Sequence, residues 1–255
     1  MSKFEKTLTA DNKKLLFKEM LAYAKETYDT DEVYEFIGPN EFLLGVIFDR
    51  GMKWEIAWKG GKYFNKKNGD LKNPAAVWHK IIKMQGEELK KEMQTGNKGK
   101  AFHRFWRKFA EGLPEAASYI LENYDGDPTL IWKYQRDPRV VEQRLDDIPM
   151  IGPALAKMAV RILVKDYGFI GGIKNIKYLD IKADVHVKRV FKRSGLVEKD
   201  ATPEEIVLTA RKLHPSDPSM MDIAWFIGRD WCKKTKPKCR QCRITKFCLK
   251  LKTIK

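Results

Sequence analysis

All four cysteines of the chain fall within 17 residues near its C-terminal end, in "CKKTKPKCRQCRITKFC" from Cys232 to Cys248, with spacing C-x6-C-x2-C-x5-C. Four thiolates this close can hold one tetrahedral metal ion or a cubane iron–sulfur cluster. Structural zinc sites usually draw on two C-x2-C knuckles. Here only Cys239 and Cys242 form one, and the other gaps are six and five residues. The uneven gaps favour the larger object, a [4Fe-4S] cluster whose ligands arrive from separated directions, with zinc as the alternative. Such a cluster on four thiolates is an anion. Lys233, Lys234, Lys236 and Lys238 lie in the first gap and no acidic residue interrupts the stretch, so the loop offsets that charge and projects a basic surface.

The rest of the chain needs no covalent staple. Its 255 residues fit one large domain or two small ones, and a chain of that size buries roughly 70–75% of its unfolded surface. No apolar run approaches the roughly 20 residues of a membrane span. The N-terminal "MSKFEKTLTADNKK" lacks the apolar core of a secretion signal. A soluble, monomeric, cytoplasmic protein is expected, in a reducing compartment where disulfides are disfavoured. The net charge of +16 attracts polyanions, nucleic acid first and an acidic membrane surface second.

Apolar residues recur at three and four positions nearly throughout, which predicts an all-α fold of roughly ten to twelve helices. "TADNKKLLFKEMLAYAKETYD" gathers Leu15, Leu16, Met20, Leu21 and Ala24 on one face. "NEFLLGVIF" is almost wholly apolar and reads as a buried helix. "GKAFHRFWRKFAEG" and "LPEAASYILENY" read as two successive helices. "TPEEIVLTARKL" opens on a Thr202 cap with Pro203 behind it, and "PSMMDIAWFIGRDW" reads as one helix. "KGGKYFNKKNGDLKN" and "DYGFIGGIKNIKYLDIKAD" read as looser segments. In "FHRFWRKF" the aromatics are expected to face the core and the basic residues the solvent.

Two further stretches carry candidate chemistry. In "DIPMIGPALAKMAVRIL", residues 147–163, a helix ends near Asp147, a turn uses Pro149 and Gly152, and a second helix begins at Pro153. The backbone N–H groups at that start can bind a phosphate oxygen without any side chain. Lys157, Arg161 and Lys165 form a basic stripe on the second helix. In "IKADVHVKRVFKRSG", residues 181–195, Asp184 has the position of an N-cap and Gly195 that of a helix stop. Val187, Val190 and Phe191 are expected to face inward, and Lys188, Arg189, Lys192 and Arg193 outward.

The order of these features, an apolar-Pro-x-apolar-Gly hairpin, an Asp-x-His at a helix start and then the cysteine spacing, resembles endonuclease III and its relatives, the helix-hairpin-helix DNA glycosylases with an iron–sulfur cluster. The similarity runs from about Gly38 to Cys248 and includes "DIAWFIGRDWC". The resemblance implies base-excision repair, in which a damaged or mismatched base is flipped out of double-stranded DNA and its N-glycosidic bond is cut. It implies two lobes with the DNA lying across the cleft between them: a six-helix domain over 35–171, with the hairpin at about 145–165, and a cluster domain from 1–34 and 172–255. Cys232, Cys239, Cys242 and Cys248 would hold the [4Fe-4S] cluster. Asp184 would stabilise the oxocarbenium-like sugar and activate the attacking group. Phosphate contacts would come from Gly152, Pro153 and Ala154, from Lys157 and Arg161, and from Lys233, Lys234, Lys236 and Lys238.

The chain departs from that pattern in three places. Bifunctional relatives carry a nucleophilic lysine where this chain has Ala154, so the simplest implication is a monofunctional enzyme in which water attacks. Lys157, three residues on, is the alternative nucleophile for lyase activity. The hairpin's first glycine is replaced by Met150. A glutamine common near the flipped base is replaced by the stretch holding Asp49, Arg50 and Met52, which become candidate contacts to the lesion or to the gap it leaves. Residues 169–183 lengthen the link between hairpin and acid, either as a loop at the active-site mouth or as a surface insertion. A non-catalytic DNA-binding protein on the same scaffold is the remaining alternative, and Asp184 argues against it.

Overall fold

The computed structural model describes residues 8–28, 37–168 and 174–250. Among them are twelve α-helices and no β-strand: α1 (Ala10–Tyr28), α2 (Pro39–Phe48), α3 (Trp54–Asn68), α4 (Ala76–Lys83), α5 (Glu87–Thr95), α6 (Trp106–Tyr124), α7 (Thr129–Trp132), α8 (Pro138–Asp146), α9 (Pro153–Arg161), α10 (Val185–Ser194), α11 (Pro203–Leu213) and α12 (Ile223–Asp230). None of them is long and apolar enough to cross a membrane. The chain divides into two compact units, Met1–Val33 with Asn175–Lys255, and Tyr34–Lys174. The boundaries expected at 34–35 and 171–172 lie outside the described residues.

In the Tyr34–Lys174 unit the centre is α2. Phe42, Leu43, Leu44, Val46, Ile47 and Phe48 are fully buried, as an all-apolar helix must be. Truncating one of its phenylalanines to Ala would cost about 3–5 kcal/mol. The one buried polar side chain of α2, Asn40, is satisfied: its amide donates to the Pro74 carbonyl at 2.8 Å, and its oxygen accepts from Trp78 Nε1 at 2.9 Å.

Helix α3 corrects the sequence reading, which treated "KGGKYFNKKNGDLKN" as loose. The helix runs straight through Gly60 and Gly61 because those positions form its contact with α2. A Cβ on Gly61 would stand 2.7 Å from the Gly45 nitrogen, and one on Gly60 2.9 Å from the Phe102 carbonyl. The double glycine is a close helix crossing and not a breaker. Helix α6 is a second correction. It continues through Pro114 as one element, because Phe109, Ala110, Leu113, Ala116, Ala117 and Ile120 form one buried face across that point. Of the aromatics in "FHRFWRKF", Phe102 and Phe109 are core. Phe105 and Trp106 reach the surface, under the guanidiniums of Arg104 and Arg107 respectively.

The other unit packs α1, α10, α11 and α12 around Leu16, Met20, Val187, Val190, Phe191, Ile206, Met221 and Ile227. Leu15, expected on the buried face of α1, is 41% exposed; the stripe is the i, i+4, i+8 row Leu16, Met20, Ala24. Thr202 and Glu205 form the reciprocal capping box at the start of α11. The helix expected from Pro218 onward begins as a 3-10 turn, Pro218–Asp222, before α12.

Candidate functional site

The hairpin is α8, a turn over residues 147–152, and α9 with Gly152 as its N-cap and Pro153 at its first position. Left-handed backbone falls on Met150, at φ 72°, and not on Gly152, whose φ of −112° and ψ of 175° any residue adopts. A methionine in that region costs roughly 1–2 kcal/mol. Its side chain is seated against α6, where a Cβ on Gly112 would stand 2.7 Å from the Met150 sulfur. At Gly152 an added Cβ would meet nothing within 4 Å. The glycine therefore serves openness there: main chain is bare on its outer side. The Leu155 and Ala156 amides are taken by the Gly152 carbonyl at 2.9 and 3.0 Å. Among the described residues no bond is donated by the Gly152 or Ala154 amides, which face an open depression of about 450 Å³ lined by Arg50 and Met150 to Leu155.

Arg50 is brought to this turn from the end of α2. Its guanidinium donates to the Met150 carbonyl, and its buried Nε has no hydrogen-bond partner. Burial lowers its pKa. The Arg50 carbonyl is held in turn by His103, whose Nε2 stands 3.1 Å away, while His103 Nδ1 accepts from the Phe105 amide at 3.0 Å. That arrangement places the imidazole proton on Nε2. Burial pulls the His103 pKa from 6.5 down to about 4, so the ring is neutral at ordinary pH. Asp49, half-buried, is the C-cap of α2, and Met52 is half-buried in the bend between α2 and α3.

The basic stripe of α9 is not a free cationic face. Lys157 is half-buried in an ion pair with Glu142 of α8, and Arg161 pairs with Asp166 at 3.1 Å. Lys165 follows α9 in a π-helical turn, Ile162–Asp166. Ala154 is exposed at the mouth of the depression.

Asp184 belongs to the other unit. It caps α10, and its Oδ1 accepts from the His186 and Val187 amides at 2.8 and 3.0 Å. The carboxylate is half-buried and fixed at the helix start by these two bonds.

On the same helix the structure corrects the expectation that Arg189 and Arg193 face solvent. Arg189 is half-buried and donates to the carbonyls of Cys232, Gly228 (2.8 Å) and Val185 (3.1 Å), with His186 Nδ1 at 2.9 Å. Arg193 donates to Lys233 at 2.6 Å and Lys234 at 3.0 Å, and lies 3.6 Å from Cys232 Sγ. The reason is the close approach of α12: a Cβ on Gly228 would stand 2.8 Å from the His186 carbonyl, so the outer face of α10 meets the chain that enters the cysteine loop. Helical spacing gave the arginines a shared face but carried no signal of what covers it.

The loop itself bears Lys233, Lys234, Lys236 and Lys238 exposed, with the Lys233 ammonium donating to the Arg229 carbonyl, while the four cysteines are half-buried free thiols. Burial pushes the Cys242 thiol up to about 11 and raises Cys248, with neighbouring cysteines contributing to both shifts. Among the described residues no group of three or more His, Cys, Asp or Glu side chains is placed to hold a metal ion. The chemistry of the donor set, four thiols in one loop, is that of an iron–sulfur or zinc ligand set.

The later part of the 169–183 insertion is anchored. Residues 169–173 lie outside the described residues; Leu179 and Ile181 are buried, and Asp180 pairs with Arg211 at 2.6 Å.

Comparison with known proteins follows the same features. No protein-family model matches the chain. It is 27% identical over 147 residues to endonuclease III of Synechocystis, a match covering 56% of this chain and 57% of that protein, so a little over half of that relative's length is spanned. It is 23% identical over 212 residues to a protein of Methanocaldococcus jannaschii named for DNA repair glycosylase activity, covering 82% and 84% of the two chains. Among solved structures, endonuclease III trapped covalently on DNA superposes with a TM-score of 0.66 at 22% identity, covering 95% of this chain and 96% of that one. A thermostable thymine-DNA glycosylase gives 0.59 at 18% identity, covering 93% and 95%.

Proposed function

We propose that this chain, whose fold is that of the helix-hairpin-helix DNA glycosylases and whose sequence resembles endonuclease III, is a DNA base-excision glycosylase that extrudes a damaged or mismatched base from duplex DNA and hydrolyses its N-glycosidic bond with water. The observation that carries this reading is Asp184, a half-buried carboxylate fixed at the start of α10 by the His186 and Val187 amides; Ala154, in the hairpin, offers no nucleophile.

In this reading the Gly152 and Ala154 amides hold a backbone phosphate beside the extruded nucleotide. The bond from C1′ to the base nitrogen breaks and its electron pair leaves with the base, which takes up a proton. Asp184 stabilises the positive charge that grows on the sugar and accepts a proton from the water whose oxygen bonds to C1′. Lys157 is engaged by Glu142, and this favours water over a lysine as the attacking group. Cys232, Cys239, Cys242 and Cys248 would hold a [4Fe-4S] cluster, which supplies rigidity to the basic loop when bound. Lys233, Lys234, Lys236 and Lys238 would then meet phosphates from that loop.

The test is a panel of duplexes, each with one defined lesion or mismatch, with and without borohydride. Excision that leaves an alkali-labile site and gives no covalent adduct is expected. A borohydride-trapped protein–DNA adduct would assign a lysine nucleophile and lyase activity instead.

A further inference from the structure

We infer that the outer face of α3 is a second phosphate-binding surface, which tracks the backbone of duplex DNA away from the hairpin. Residues 53–108 carry fifteen Lys and Arg against five Asp and Glu, so most of the chain's net charge of +16 is concentrated in this stretch. Within it, α3 presents Lys59, Lys62 and Lys66 at i, i+3 and i+7, all exposed. Over that spacing the helix rises roughly 10 Å. Lys98 extends the row, with its ammonium 5.9 Å from the centroid of the half-buried Tyr63 ring.

The neighbouring carboxylates do not cancel this row. Glu92 is taken by Lys67 at 2.7 Å. Glu41, on α2, is raised by burial and faces Lys62 alone of the three. Glu55 lies one turn before Lys59. No ion pair holds Lys59 or Lys66 among the described residues.

The partner follows from what the helix has left to offer. A membrane-surface helix buries its apolar face in lipid. The apolar and glycine face of α3, Ala57, Gly60, Gly61 and Phe64, is already closed on α2 and Phe102. What remains beyond the first turn, where Trp54 and Ile56 are exposed, is a rigid row of Lys59, Lys62 and Lys66, which suits a regular polyanion. The first turn of α3 follows Arg50, which lines the hairpin depression, so the row leads away from the phosphate held there. This inference rests on the DNA-glycosylase reading for its choice of polyanion.

The experiment combines Lys59→Gln, Lys62→Gln and Lys66→Gln, which keep helix propensity and the side-chain stems. A control variant removes the same charge from the exposed face of α1 through Lys13→Gln, Lys14→Gln and Lys18→Gln. Binding to an undamaged duplex of about thirty base pairs is measured from about 50 to 200 mM salt. The α3 variant is expected to bind more weakly, with a log–log salt slope shallower by about two to three, while the α1 variant keeps the parent slope. Equal slopes for the α3 variant and the parent, or an equal loss in both variants, would overturn the inference. An unchanged DNA slope with lost sedimentation on phosphatidylserine vesicles would assign the face to lipid. Excision is never the readout, so a parent protein that binds duplex and excises nothing fails the catalytic reading and leaves this one standing on its slope.

Discussion

Two loops in this molecule are held by arginines that donate to main-chain carbonyls, and the two are built on different foundations. The hairpin turn has Ile148 and Ile151 buried beneath it, Met150 seated against Gly112, and Arg50 on the Met150 carbonyl. From Cys232 to Cys248 only Ile244 is buried, and residues 233–238 are all exposed. There Arg189 and Arg193 hold the carbonyls of Cys232, Lys233 and Lys234, and four thiols stand where apolar contacts would otherwise be. The hairpin is preformed by packing, whereas the cysteine loop has little packing of its own. In the proposed reading a turn that is rigid before DNA arrives spares the cost of ordering on contact.

The sharpest way to break this contrast is to remove one thiol. Cys242→Ser should leave the hairpin unit folded and loosen the cysteine loop, with a loss of several kcal/mol in its own unit. Limited proteolysis should then cut within residues 233–247, and purified protein should lose iron and sulfide together. Uncut loop and unchanged melting would make the thiols dispensable. Because burial raises the Cys242 and Cys248 thiols, ligation must displace their protons, and loading should weaken as pH falls.

Next in size is an acid response on the hairpin side. His103 is neutral in the fold, with its pKa at about 4, while the unfolded chain takes a proton near 6.5. The unfolded state binds more protons between those values, so stability falls as pH drops from 6.5 toward 4, by on the order of 3 kcal/mol. Urea titrations at several pH values should show that slope in the parent and a flatter one in His103→Phe. A slope that survives the substitution would move its origin elsewhere.

The smallest effect concerns Met150. Met150→Gly relieves the left-handed backbone but loses the contact with Gly112 and gains unfolded-state entropy, so the net change should stay within about 1 kcal/mol. Met150→Ala keeps the strain and loses the contact, and should be the worse variant by thermal melting. The reverse ranking would mean that the side chain contributes nothing to the turn.

What was legible in the sequence follows the range of the forces involved. The capping box at Thr202, the buried α2 and the Asp184 cap are local, and the helical period with its punctuation announces them. Gly60 and Gly61 misled because a local breaker is overruled there by the close approach of α2 and Phe102, and Pro114 because the buried face of α6 carries the helix across it. The cysteine spacing pointed to the scaffold because four cysteines within 17 residues are a local signal. Arg189 and Arg193 were read as solvated because a guanidinium facing solvent and one facing carbonyls look the same in sequence. Met150 stood out as a missing glycine, but its left-handed φ and its seat on α6 could be seen only in three dimensions.

The central claim is that Asp184 performs the chemistry which the hairpin only positions. Its direct test is single-turnover excision by the parent and by Asp184→Asn on whichever lesion duplex the parent cleaves, with binding measured on the same duplex. Asn keeps the cap through its side-chain oxygen, so α10 and duplex affinity should be retained while the excision rate falls by about two to four orders of magnitude. Excision within a few fold of the parent would remove Asp184 from the mechanism.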